Sequence, residues 1–270
     1  MTQPQVEQQQ YRRPPAVLLL PALVGTLFLV LPFAGLLYRA PWSQAREQLT
    51  APGTVTALRL SFVTSIVSTA ICLVLGVPLA FMLARTTFPG QRLLRALVTL
   101  PLVLPPVVGG VALFTAFGRA GIVGRYLDSW FDIQLSFTTT AVVMAQTFVS
   151  LPFLVIAVEG ALRGADSRFE EAAATLGASR WTTFRRVTLP LVGPGIAAGS
   201  VLCWARALGE FGATITFAGS LPGSTQTMPL YVYNTLETDP FGAILLSLIL
   251  VVLSIVVLVS LRGRWIGTPA

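Results

Sequence analysis

The sequence predicts an all-α polytopic membrane protein with six transmembrane helices, and three observations carry that reading. Apolar residues make up 54% of the 270-residue chain and charged residues only 11%, against about 25% charged in soluble domains. Uncharged runs recur along the chain, each close to the ~20 residues a helix needs to cross the hydrocarbon core. Most Arg residues flank these runs, and only Arg59 and Arg206 lie near or within them.

The elements follow in order. Residues 1–13 contain the Gln-rich stretch TQPQVEQQQ, which has nothing to bury and reads as a disordered tail. The first span is predicted over 14–38. Arg12 and Arg13 precede it as they would a signal peptide, but its apolar stretch exceeds the ~7–15 residues of a signal core, so it reads as retained. With its outer loop it forms a unit over 14–50. Five further spans are predicted at 60–84, 96–118, 133–158, 187–205 and 240–261, within a second unit over 51–265. Pro and Gly recur inside them, as in LPLVLPPVVGG at 100–110. Such breaks either line a cavity or mark irregular packing within a bundle.

Arg placement predicts orientation, because cytoplasmic loops are enriched in basic residues. With the N-terminus cytoplasmic, twelve Arg face inward: 12, 13, 85, 92, 95, 163, 168, 180, 185, 186, 262 and 264. Only Arg39, Arg46, Arg119 and Arg125 face outward. Both termini, and the connection at about 163–189, are therefore expected in the cytoplasm.

Composition also excludes functions. All eighteen basic residues are Arg, with no Lys and no His. Two Cys and no His leave too few ligands for common zinc or haem sites, so no metal or cofactor is expected. Cys72 and Cys203 sit in the apolar runs STAICLV and SVLCWA and read as packed small hydrophobes. The net charge of +7 raises nucleic acid as a partner. The Arg form no continuous stripe, however, and point to lipid instead. An intramembrane enzyme is excluded by the lack of any acid–base or nucleophile constellation in the spans.

One segment stands apart, FEEAAATLGASRWTTFRRVTLP at 169–190. Ser167 and Glu170 have capping-box spacing, which predicts a helix from Arg168. Ala172, Ala173 and Ala174 favour helix, and Gly177 can adopt the left-handed conformation that ends it. Ser179 is placed to cap a second helix through Arg185, expected to finish before Pro190. The product is a helix-turn-helix at the membrane face. Physically it suits docking by another protein or an amphipathic hairpin on anionic lipid.

The spacing Glu171-Ala172-Ala173, three residues, Gly177, nine residues, Val187-Thr188-Leu189-Pro190 resembles the EAA loop of ABC-importer permeases, with Val in place of Ile. The resemblance implies the type I ABC-importer permease (MetI-like) fold. It also implies a coupling helix gripped by a cytoplasmic ATPase subunit in two copies, through Glu170, Glu171, Ala172, Ala173, Gly177, Ala178, Leu189 and Pro190. This chain has no Walker A sequence, so ATP hydrolysis is expected in that partner.

Residues 205–237 follow the fifth span. Arg206 and Glu210 are four apart on one helical face, where they could pin the helix as a salt bridge or face the transported ion. Thr214, Thr216, Ser220, Ser224, Thr225 and Thr227 make the next stretch too polar for lipid, and it reads as re-entrant, lining an aqueous path, or from Ser224 onward as an outer loop. GEFGATITFAG followed by PG-x-T-x-T-x-PL resembles the molybdate/tungstate branch of the sulfate/molybdate permeases, with Ser220 where that branch often has Asn. This likeness extends from about residue 55 to the C-terminus. The pathway residues are expected to be Arg206, Glu210, Gly212, Thr214, Thr216 and Ser220. A homodimer, fed by an extracytoplasmic molybdate-binding protein, is implied. The alternatives are a sulfate or thiosulfate permease, or an ion-driven secondary transporter using Arg59, Glu159, Arg206 and Glu210.

Overall fold

The computed structural model describes residues 16–265, and the tail predicted over 1–13 lies outside them. Every regular element among the described residues is helical. The long helices are α1 (Ala16–Arg39), α3 (Pro52–Arg85), α7 (Thr139–Gly164), α10 (Leu189–Leu208) and α13 (Pro240–Trp265). Shorter ones are α2 (Ala45–Thr50), α4 (Gln91–Val103), α5 (Pro106–Phe117), α6 (Gly124–Phe131), α8 (Arg168–Thr175), α9 (Arg180–Thr183), α11 (Gly212–Phe217) and α12 (Met228–Thr238). Val17–Arg39, Pro52–Arg85, Thr139–Gly164 and Arg180–Leu208 are each long and apolar enough to cross a membrane. α13 supplies the last predicted run, apolar over Pro240–Val256.

The third predicted run is a bent pair, α4 and α5 meeting at 120°. The cause is local. Leu104 and Pro105 both turn extended, with ψ of 135° and 131°, because a residue before proline avoids the helical region. Pro106 then begins α5, where a missing N–H has no partner to lose. The fourth run starts six residues later than expected. Thr138 is extended and its hydroxyl accepts the Ala141 N–H at 3.2 Å, which sets the start of α7.

α3, α7 and α10 pack on one another as the central layer. On α3, Ser61, Ser65, Ser68, Cys72, Gly76 and Ala80 fall three or four apart, and all are buried. Small residues let membrane helices approach closely, and their hydroxyls bond across the gap. Thr147 donates to Ser68 (3.1 Å), the Trp204 indole donates to Ser65 (2.9 Å), and a Cβ on Gly76 would meet Leu151 and Leu154 at 3.1 Å. Cys72 and Cys203 are free, buried, and part of this core, as expected. α5 and α11 build a second core on α7 around Leu113 and Phe217. α1 packs on α13, with most of its side chains outward.

The second loop helix does not finish before Pro190, which corrects the expectation from the sequence. α9 runs through a wider turn at Phe184–Thr188 straight into α10. There the Leu189 N–H reaches back five residues to the Phe184 carbonyl. A π-turn of this kind shifts the hydrogen-bond register by one residue. Pro190, lacking an N–H, can thus follow without ending the helix. Arg180–Leu208 is one 29-residue rod, about 43 Å long at 1.5 Å per residue.

Candidate functional site

The loop at 163–189 is built largely from local rules. α8 starts at Arg168, but the capping box does not form, which corrects the predicted start signal. Ser167 makes no cap bond, and its hydroxyl donates to Glu171 at 3.2 Å. Asp166 takes the Arg168 N–H instead (3.0 Å). Glu170 is thereby free to look inward. At the other end Gly177 has φ +82°. The Ala178 N–H bonds the Ala173 carbonyl and the Gly177 N–H bonds the Ala174 carbonyl, both at 3.0 Å. That pair of bonds is a Schellman cap. Ser179 caps α9 as expected, accepting the Thr182 N–H at 3.2 Å.

Glu170 links three elements. Its Oε1 accepts from the Thr188 hydroxyl (2.8 Å) and from the Arg85 guanidinium (3.3 Å), which also reaches the Ala165 carbonyl. Both side chains of the ion pair are about four-fifths buried, at 22% and 20% exposure, so the pair is shielded better than a surface one. Glu171, Ala172 and Gly177 are exposed, Ala173 and Ala178 are half-buried, and Leu189 and Pro190 are exposed at the start of α10. The loop thus presents an Ala/Gly surface outward and a carboxylate inward.

A second charged cluster lies beside it. Glu159 on α7 holds Arg163 at 2.8 Å and Arg95 of α4 at 2.9 Å. Arg95 and Gln91 also donate to the Leu83 carbonyl, at 3.1 and 2.9 Å. They satisfy a carbonyl in the last turn of α3 and tie α4 to it. Neither Arg85, Thr188 nor Arg95 was among the sequence-predicted site residues. Their partners lie 18 to 85 positions away, and no spacing rule reaches that far.

The residues at 206–220 form a separate group, which the structure does not bring together with the loop. Arg206 Nη2 lies 2.7 Å from Glu210 Oε2, an ion pair without the alignment of a hydrogen bond. Glu210 is 1% exposed and Arg206 27%. The other carboxylate oxygen accepts the Ala213 N–H (2.7 Å), so Glu210 also starts α11. A Cβ on Gly212 would meet Pro106 Cβ at 2.8 Å, so glycine allows α11 to sit against the bend. The Thr216 hydroxyl donates to the Gly212 carbonyl (2.9 Å) and packs where Gly110 has no side chain. Thr214 and Thr227 are fully buried with unpartnered hydroxyls, as is the Gln146 amide on α7. Ser220 accepts from Asn234 at 2.9 Å and from Gln226 at 3.3 Å.

Among the described residues no group of His, Cys, Asp and Glu could hold a metal ion. What the geometry offers is mechanical: one rod joins the loop at 163–189 to the Arg206–Glu210 pair near its far end.

Comparison with known proteins agrees with this arrangement. Residues 76–265 match the family described as binding-protein-dependent transport system inner membrane component. The chain is 52% identical over 250 residues to the molybdenum transport system permease protein ModB of Mycobacterium tuberculosis, covering 92% of this chain and 94% of that one. It is 36% identical over 248 residues to the sulfate transport system permease protein CysT of Escherichia coli, covering 88% and 89%. In fold it is similar to a bacterial ABC transporter involved in import of the acidic polysaccharide alginate, with a TM-score of 0.73 at 20% identity over 93% of this chain and 95% of that one. The motif spacing, the bundle and the family match over most of the chain converge: this protein belongs to the inner membrane components of binding-protein-dependent transport systems.

Proposed function

We propose that the chain is the permease subunit of an ABC importer for molybdate. Two copies would form the pathway, with two cytoplasmic ATPase subunits below and an extracytoplasmic molybdate-binding protein above. The continuous rod from Arg180 to Leu208 carries this reading best. In it, ATP binding closes the ATPase pair and draws the two loops together. α8 follows its grip through Glu171, Ala172, Ala173, Gly177 and Ala178. Glu170 passes the displacement to α3 through Arg85, and Thr188 passes it to α10. The far end of α10 then moves the Arg206–Glu210 pair and the α11 segment packed on the α4–α5 bend.

The anion assignment rests on 52% identity to the molybdenum permease against 36% to the sulfate permease. Both anions are tetrahedral, and a hydroxyl such as that of the half-buried Ser220, which accepts from Gln226 and Asn234, can donate its own proton to either without holding it tightly. Arg206 is 27% exposed, and although its charge is balanced by Glu210 its guanidinium keeps N–H donors that suit an anion and not a cation. A sulfate permease is the second reading, supported by that weaker similarity. The orientation belongs to this proposal too, with both termini and the 163–189 loop cytoplasmic, as does the division into 14–50 and 51–265.

The test is ATP-driven uptake in proteoliposomes that contain the complex and its binding protein. Molybdate uptake should depend on ATP, and tungstate should compete strongly while sulfate competes weakly. Normal uptake by both Glu171→Ala and Gly177→Val at wild-type expression would refute the coupling assignment. Stronger competition by sulfate than by tungstate would favour the second reading.

A further inference from the structure

A groove of about 630 Å³ separates α8 and α9 from the end of α3. Its walls are almost wholly apolar, with Phe81 and Met82 from α3 facing Trp181, Phe184 and Ala178 from the loop. The Phe184 ring stands edge-on to Phe81 at 5.4 Å and stacks on Trp181 at 5.7 Å. Trp181 is nonetheless 67% exposed and Met82 45% exposed. So much aromatic surface left open calls for an occupant.

Two charged residues also line the groove, Glu170 and Arg180. Glu170 is already engaged by Arg85 and Thr188. Arg180 is exposed and forms no ion pair among the described residues. The charge remaining at the groove is therefore positive. Phe81 and Met82 belong to the uncharged run 60–84, and Arg85 ends it within one turn. The groove thus sits where hydrocarbon meets headgroups, a level at which Trp and Arg are favoured. A soluble partner would have to enter the bilayer to reach Phe81, whereas a lipid is already there.

We propose that this groove binds an anionic phospholipid, an acyl chain lying along Phe81, Met82 and Trp181 and the phosphate against Arg180. Its place in the cytoplasmic leaflet rests on the orientation proposed above. The lipid fills the gap between the loop and α3 beside the Glu170–Arg85 contact. It braces the coupling loop, so anionic lipid sets how tightly the loop follows the ATPase.

The experiment uses the permease–ATPase complex in nanodiscs of phosphatidylcholine that contain a small, fixed fraction of lipid with brominated chains. The part of the tryptophan fluorescence lost in Trp181→Phe reports on the groove. Brominated phosphatidylglycerol should quench this part more efficiently than brominated phosphatidylcholine at equal fraction, its apparent affinity for the groove being about fivefold higher, the size expected for one Arg near an anionic surface. Arg180→Gln should abolish the preference while leaving quenching by the zwitterionic lipid. Ala174→Leu, which fills the groove from α8, should lower quenching by both. Equal quenching by the two lipids, a preference that survives Arg180→Gln, or no quenching because the ATPase fills the groove would each overturn the proposal. Nanodiscs expose both faces, so the readout does not depend on orientation, which a separate labelling measurement decides.

Discussion

Glu170 and Glu210 show how much one carboxylate can do in an oily chain. Glu170 is the shared acceptor for Arg85 and Thr188. Hydrogen bonds to charged groups are worth about 1.5–3 kcal/mol, and the partial burial of this pair keeps most of that. Glu170→Ala should therefore lower the melting temperature of the purified complex and reduce uptake per ATP hydrolysed, with the permease still inserted. An unchanged uptake-to-hydrolysis ratio would mean that the contact transmits nothing. Glu210 is buried with Arg206 beside it. Removing one member of a buried pair costs about 3–5 kcal/mol, because the other charge is left unpaired. Glu210→Ala and Arg206→Gln should therefore both lower the yield of folded protein, Glu210→Ala the more because it also loses the Ala213 N–H contact at the start of α11. Arg206→Gln should lower uptake further than it lowers yield. If Arg206→Gln reduces both equally, the pair only pins the helix.

At the scale of elements, the loop holds its shape because a cap and a register shift fall at its two ends. Gly177 is left-handed, and a Cβ added there would meet nothing within 4 Å, so its constraint is the backbone alone. A β-branched residue there costs on the order of 1–3 kcal/mol of strain, whereas Asn adopts the same region readily. Gly177→Val should weaken co-purification of the ATPase, and Gly177→Asn should largely restore it. Equal behaviour of the two would show that the glycine serves by its size rather than its conformation. The π-turn at Phe184–Thr188 plays the matching part on the other side, keeping α9 and α10 in one piece across Pro190.

For the whole molecule, orientation decides which face meets the ATPase. Both native thiols are fully buried, so an introduced cysteine meets little background from impermeant maleimides. Leu176→Cys, on a residue 89% exposed in the loop, should label only from the cytoplasmic side. Ile122→Cys, 69% exposed near α6, should label only from outside. The reverse pattern would invert the proposed topology. α1 presents a largely uncovered apolar surface, which in a bilayer can face lipid or a second copy at no penalty.

Much of this was readable from residues alone. The apolar runs, the helix begun at Arg168, the left-handed Gly177 and the Ser179 cap all follow from transfer energies and backbone preferences that act within a few residues. Those forces are written locally and survive whatever the rest of the chain does. Packing decided the remainder. Glu170 exchanges its expected cap for Arg85 because α3 and α10 converge beneath α8. Thr216 turns to backbone beside Gly110 because α11 nests into the α4–α5 bend. Such pairings depend on which helices touch, and only the folded bundle sets that.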